Sequence, residues 1–181
     1  MLTIERLTAN GYVHIGMDHF ALADDELAVA QRHKTLQRNF QGYSTRGDAA
    51  LHAFGISAIS QADGAYWQNT KELAEYYSVL ESGKLPIVKG YVLTEEDRLR
   101  REAISRLMCH LSLDFDSFGI DFRQHFAAEL ASLDDLEADG LIIRDANGLT
   151  VTDAGRLFLR NIAVRFDAYF TGAGRRFSQS V

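Results

Sequence analysis

A mixed α+β fold, mainly helical, with a winged-helix-like C-terminal domain is predicted from three features of the 181-residue sequence. Apolar residues recur every three or four positions from Leu99 to Leu111 and again from Phe122 to Leu136, the period of helices with one buried face. Asn147-Gly148 separates two short strand-like runs, Leu141 to Arg144 and Leu149 to Thr152, which is a strong hairpin signal. Before residue 60, strand-like and helix-like stretches alternate instead.

In chain order, Leu2 to Leu7 has helical spacing, and Asn10-Gly11 is a plausible stop. Tyr12 to Gly16 reads as a strand, with Met17-Asp18-His19-Phe20 at its C-terminal end, where ligands collect in α/β folds. Asp24-Asp25-Glu26 puts acids in the first turn of a helix reaching Arg32, which suits the positive end of its dipole. Leu36 to Tyr43 and Leu51 to Ser60 read as the next two strands, separated by a loop between Gly42 and Gly47. Within the second, Phe54 to Ser60 alternates apolar with small residues, as a buried strand closely approached by a ligand would. These strands are too few to close a sheet of their own.

Thr70 to Leu80 is expected to be a helix with Tyr76, Tyr77 and Leu80 on its apolar side. Glu81 to Pro86 holds the only proline and reads as a linker. Thr94-Glu95-Glu96-Asp97 resembles a capping box with Asp in place of Glu or Gln, opening the helix over Leu99 to Leu111. A second helix is expected from Asp121 to Ala138, ended by Gly140, and a last one capped by Asp153 and carrying Leu157, Phe158, Ile162, Phe166 and Tyr169. The expected partition is 1–60, a connecting helix and linker over 61–93, a helical domain over 94–170, and a polar tail over 171–181 that is loosely held unless Phe177 docks.

With 46% hydrophobic and 24% charged residues, the composition is that of a soluble globular chain. No apolar run approaches the length of a membrane span and no secretory signal is legible, so a cytoplasmic location without a membrane partner is expected. One cysteine, Cys109, excludes an internal disulfide and a protein-only cysteine cage; beside Met108 on an apolar helix face it reads as a small buried hydrophobe. Helix, helix, hairpin, helix invites a DNA-binding reading. Asp121, Glu129, Asp134, Asp135 and Glu137 against the lone Arg123 argue otherwise, as does the net charge of −6, so no nucleic-acid partner is expected. His14 and His19 lack the shared helical face of a zinc pair, and no metal site is assigned. His19 beside Asp18 reads as an oriented structural histidine, and Arg156, Arg160 and Arg165 as a solvated face, with an anion-binding patch as the alternative.

Several segments together carry a family resemblance. Tyr12 to Ala21, Asp24 to Gln31, Arg38 to Tyr43, Gly55 to Ser60, and Gly155 through Ile162 with Phe166 to Tyr169 resemble, in order, the C-terminal part of bacterial oxygen-independent coproporphyrinogen III oxidase. The resemblance implies that residues 1–60 are the last strand and helix elements of a radical S-adenosylmethionine partial barrel. It implies an oxidoreductase of haem (porphyrin) biosynthesis that decarboxylates two propionates of coproporphyrinogen III to vinyls, giving protoporphyrinogen IX, and passes electrons to an acceptor. The cofactors it implies are S-adenosylmethionine and a [4Fe–4S] cluster held by a Cys-x-x-x-Cys-x-x-Cys motif. That motif is absent here, so the chain alone is expected to be inactive and to carry no catalytic residue. Ile59, Phe40 and Gln41 match positions that bind S-adenosylmethionine. The alternatives are a haem-binding or chaperone relative, or a winged-helix interaction module.

Overall fold

The computed structural model describes residues 2–47, 49–62 and 64–170. The chain packs into two compact units, one built from the segments before Arg46 and after Arg98, the other from Arg46–Arg98.

The first unit opens with helix α1, Leu2–Ala9. Gly11, at φ 86°, supplies the left-handed residue past its end, where the stop was expected. Strand β1 (Tyr12–Gly16) then pairs antiparallel with β2 (His19–Leu22) across a turn containing Met17 at φ 52°. The expected strand end facing a ligand is therefore a tight hairpin corner, because Met17 and Asp18 reverse the chain at once. Helix α2 spans Glu26–Arg32, capped by Asp25, whose Oδ1 accepts the Leu27 N–H at 2.8 Å. The single strand expected over Leu36 to Tyr43 is a second hairpin, β3 (Gln37–Asn39) with β4 (Gly42–Ser44). Two antiparallel hairpins thus stand where an α/β alternation was read. A small core of Ile15, Ala21, Ala28, Ala30, Leu36 and Cys109 holds these elements, with Cys109 buried as expected.

The second unit holds the antiparallel sheet β5 (Ile59–Ala62), β6 (Ala65–Asn69) and β7 (Ile87–Val92), in that order, and helix α3 (Leu73–Glu81). Residues 82–86 connect α3 to β7 inside it. The strand expected over Leu51 to Ser60 is mostly a loop. Positive φ at Gly55 (104°) and Ser57 (57°) breaks the pleat, and Phe54 is 91% exposed rather than buried. Polar bonds fasten this loop: the Asn69 amide donates to Gly55 O at 2.9 Å, Ser57 N–H to Thr70 O at 2.7 Å, and Gly55 N–H to the Tyr76 hydroxyl at 3.1 Å. Ser60, Asn69, Thr70 and Asp97 are buried in this unit, whereas all buried hydrophobic residues among those described belong to the first.

Helix α4, Glu95–His110, starts with the expected box: Thr94 Oγ1 accepts the Asp97 N–H at 3.1 Å and Asp97 Oδ2 accepts the Thr94 N–H at 2.8 Å. The Tyr91 hydroxyl also donates to this carboxylate, at 3.0 Å. Beyond α4, strands β8 (Ser112–Asp114), β9 (Ile142–Arg144) and β10 (Gly148–Val151) form an antiparallel sheet in the order β8-β10-β9. The β9–β10 hairpin confirms the Asn147-Gly148 signal, with a different role for the glycine. Gly148 lies within β10, and any side chain there would collide with the carbonyl of Leu113 on β8. The turn is made by Asp145, whose Oδ1 accepts the N–H groups of Asn147 and Gly148 at 2.7 and 2.9 Å.

The helix expected from Asp121 to Ala138 is three short ones, α5 (Phe122–His125), α6 (Ala127–Ala131) and α7 (Asp134–Ala138). The backbone leaves helical values at Phe126 (φ −103°, ψ 29°) and Leu133 (φ −92°, ψ −3°). Both side chains are fully buried, so packing overrides helical continuity there. The last helix is likewise a 3-10 turn (Gly155–Phe158), α8 (Leu159–Ala163) and a second 3-10 turn (Val164–Phe166). Its cap is Thr152, whose Oγ1 accepts the Gly155 N–H at 3.0 Å, and not Asp153. Phe115, Phe118, Phe122, Phe126 and Phe166 meet Leu107, Leu133, Leu149 and Ile162 in the main core. The tail and Phe177 lie outside the described residues.

Candidate functional site

Phe40 and Gln41 form the tip of the β3–β4 hairpin, between the closing pair Asn39 and Gly42. Asn39 fixes the turn, its Oδ1 accepting the Gln41 N–H at 2.8 Å, and Gly42 sits at φ 139°, which favours glycine. A side chain at Gly42 would also meet Nε2 of His19, at 2.9 Å from its Cβ. The tip is thereby held against the corner of the β1–β2 hairpin, with Phe40 54% exposed.

Tyr43 anchors the hairpin. Its hydroxyl donates to Met108 O at 3.0 Å, near the end of α4, and crosses Gly16 too closely for any side chain there. The His19 ring meets the Tyr43 ring edge-on at 5.0 Å, and the Arg38 guanidinium lies 5.8 Å from its centroid. Burial, and next the neighbouring Cys109, push the Tyr43 phenol up to about 12, so it remains a hydrogen-bond donor at neutral pH. Gln31 supports the same helix end, donating to Ile15 O at 2.6 Å and Cys109 O at 3.1 Å, while the His110 ring contacts Leu36 O at 3.0 Å. Side chains from α2 and β4 thus satisfy carbonyls that the helix terminus leaves open. Tyr43, Gln31 and Asn39 escaped the sequence reading as a set; the one local signal was the Asn-x-x-Gly-Tyr spacing of a turn followed by an anchor.

The other expected residues separate. Ile59, half-buried, opens β5 in the second unit, facing Gln68 across the ladder. Asp18 Oδ1 lies 2.9 Å from His19 Nδ1, outside the alignment of a hydrogen bond. Arg156 is no solvated side chain: it is largely buried and donates to the carbonyl of His14. Arg160 is exposed on α8, and Arg165 pairs with Asp135 at 2.7 Å.

His14 is buried, stacked on Phe20 at 4.9 Å, with Nε2 2.9 Å from Met17 O. Burial depresses its pKa below the usual 6.5, and that of His110 likewise. A depressed folded pKa means that the unfolded chain takes up the proton first as pH falls. The stability these neutral rings contribute is present above pH 6.5 and is lost as pH falls through their folded values. The thermal midpoint is therefore expected to drop on acidification below pH 6.5, and His14→Gln with His110→Gln to flatten that slope in calorimetry at a series of pH values.

Residues 93–158, which include α4 and the β8-β10-β9 sheet, match the HemN C-terminal domain family. The whole chain extends the match. It is 48% identical over 184 aligned residues to oxygen-independent coproporphyrinogen III oxidase of Pseudomonas aeruginosa, covering 99% of this chain and 40% of the relative. The same protein of Synechocystis sp. is 46% identical over 99% of this chain and 41% of its own. A solved structure described as coproporphyrinogen III oxidase (HemN) from Escherichia coli, a radical SAM enzyme, superposes with TM-score 0.88 at 46% identity, over 93% of this chain and 40% of that one. The chain is similar to the oxygen-independent coproporphyrinogen III oxidases over nearly its whole length, in line with the resemblance, and spans about 40% of the length of these proteins. The coarse architecture is mixed helix and sheet with no closed barrel among the described residues. Among those residues no helix is long and apolar enough to cross a membrane.

Proposed function

We propose that this chain is the C-terminal portion of an oxygen-independent coproporphyrinogen III oxidase, and that its β3–β4 tip forms one wall of an S-adenosylmethionine pocket. The observation that carries the reading is the near-complete coverage of the chain at 48% identity, with Phe40 and Gln41 presented on an anchored turn. The substrate is then coproporphyrinogen III. Each of two propionates loses a hydrogen atom, carbon dioxide and one electron to become a vinyl, and the electron passes to an acceptor.

The residues present fit one of the two cofactors. The half-exposed ring of Phe40 beside the Gln41 amide suits an adenine. Cys109 does not fit a cluster: it is fully buried in an apolar core, with its thiol pushed up to about 11 by burial. The [4Fe–4S] cluster belongs to sequence that this chain does not include, and the chain alone is not catalytically competent. When bound, cluster and S-adenosylmethionine supply the hydrogen-abstracting 5′-deoxyadenosyl radical. The role of this chain's residues is to seat the adenine and keep water from it.

Residues 94–170 are a winged-helix-like packing module in this reading, supported by the three-stranded sheet and the helices around it. The net charge of −6 favours packing over nucleic-acid binding, and the location is cytoplasmic. The test is a Phe40→Ala, Gln41→Ala double variant in the protein that includes the cluster-binding segment. It is expected to bind S-adenosylmethionine at least about tenfold more weakly, roughly 1.4 kcal/mol, and to form vinyl product correspondingly slowly. Unchanged binding and turnover would remove the pocket assignment.

A further inference from the structure

The tip that carries Phe40 and Gln41 closes a ladder of only three residues a side, and so short a hairpin is marginal without support from the rest of the fold. That support comes from the end of α4. Leu111, at φ 58°, turns the chain out of the helix, and the last carbonyls of a helix have no donor within it. Two consecutive ones are taken by side chains from β4 and α2: Met108 O by the Tyr43 hydroxyl at 3.0 Å, and Cys109 O by the Gln31 amide at 3.1 Å.

These bonds close a circuit. The Gln31 amide also donates to Ile15 O at 2.6 Å, which ties β1 to the same helix end; β1 pairs with β2, and His19 of β2 stands against Gly42 beside the tip. Both hairpins therefore hang from one helix terminus and brace each other where the His19 ring meets that of Tyr43 at 5.0 Å. On the side facing β1, the Tyr43 hydroxyl lies against Gly16, where an added Cβ would collide with it and stand 3.1 Å from the ring carbon that bears it. Loss of that hydroxyl opens the circuit at the strand next to the tip, while the ring stays to fill its place.

We propose that Tyr43 is a positioning residue for the S-adenosylmethionine site: by holding β4 on Met108 O it sets the placement of Phe40 and Gln41, and it acts on the cofactor only through them. Binding groups must be held to within about 0.5 Å to contribute fully, which three strand residues do not achieve unaided. The role rests on the pocket reading above.

The test uses the protein that includes the cluster-binding segment. Tyr43→Phe removes the hydroxyl alone. It is expected to raise hydrogen–deuterium exchange over residues 37–44 in the absence of cofactor and to weaken S-adenosylmethionine binding about fivefold, as loss of one hydrogen bond would. Turnover at saturating S-adenosylmethionine should stay within about twofold of the parent. Gly16→Ala, which pushes the hydroxyl off Met108 O from the opposite side, is expected to give the same loss, and the two changes together no more than either alone. In the Phe40→Ala, Gln41→Ala background, Tyr43→Phe is expected to cost no further affinity; a merely structural tyrosine would weaken binding by the same factor in both backgrounds. Parent-like affinity or parent-like exchange in Tyr43→Phe, or an undiminished loss in that background, would overturn the role and leave the pocket assignment standing. Normal S-adenosylmethionine binding by the Phe40→Ala, Gln41→Ala variant would instead remove the pocket reading, and this role with it.

Discussion

Phe122→Ala is expected to lower the unfolding free energy by about 3–5 kcal/mol and the thermal midpoint by roughly 10 °C, measured by urea and thermal unfolding. Phe122 is 1% exposed and sits at the centre of the aromatic core. Phe115 stacks on it at 4.8 Å, Phe118 and Phe126 tilt against it at 4.6 Å, and Phe166 lies at 6.1 Å. Truncation removes the ring that all four share and leaves a void that short helices and 3-10 turns close poorly. Ile143→Ala, at a site 63% exposed on β9, is the control, expected to shift the midpoint by less than about 2 °C. Equal midpoints for the two variants would mean that the core is not organised around Phe122.

The second large effect is expected at Gly155, where one added methyl group should cost about 3 kcal/mol in the same unfolding measurement. A Cβ at this buried position would fall inside the carbonyl oxygen of Leu141 and 2.8 Å from its carbonyl carbon, with Val151 Cγ1 at 3.0 Å. These obstacles include backbone, and that backbone is pinned: Leu141 O accepts both the N–H and the hydroxyl of Thr152, at 3.0 and 3.1 Å. Gly11→Ala, which meets nothing within 4 Å, separates steric crowding from backbone strain, since its cost comes from φ 86° alone. A Gly155→Ala protein as stable as the parent would show that the start of the last helical segment moves freely.

Both effects bear on what the sequence could and could not reveal. The Thr94–Asp97 box, the Gly11 stop and the β9–β10 hairpin were legible because each is decided by residues close to one another in sequence, whereas Asp25, read as a first-turn acid, proves to be the cap of α2. The breaks at Phe126 and Leu133 were not, because three short helical pieces facing one core keep the same three-and-four spacing as one long helix. Gly155 looked like an ordinary helix residue, since its contact with Leu141 is set by folding rather than by neighbours in sequence. The loop at 52–58 misled for a related reason. Alternating apolar and small residues fit a strand, but Gly55 and Ser57 take positive φ values that a strand cannot hold. At the candidate site, Phe40 and Gln41 were found through family resemblance. What holds them, the reach of Tyr43 across 65 positions to Met108, became visible only in the folded chain.

The polar interior of the second unit has a thermodynamic consequence. Its buried positions include Ser60, Asn69, Thr70 and Asp97, while Phe54, Leu85, Val88 and Val92 already face water. Unfolding it exposes comparatively little new apolar surface, and it is such surface that gives unfolding its positive heat-capacity change. The free energy of opening Arg46–Arg98 should therefore vary only gently with temperature, while that of the phenylalanine-rich unit follows a steeply curved dome. The strand bearing Ile59 belongs to the unit with the flatter temperature dependence, and the hairpin bearing Phe40 and Gln41 to the other.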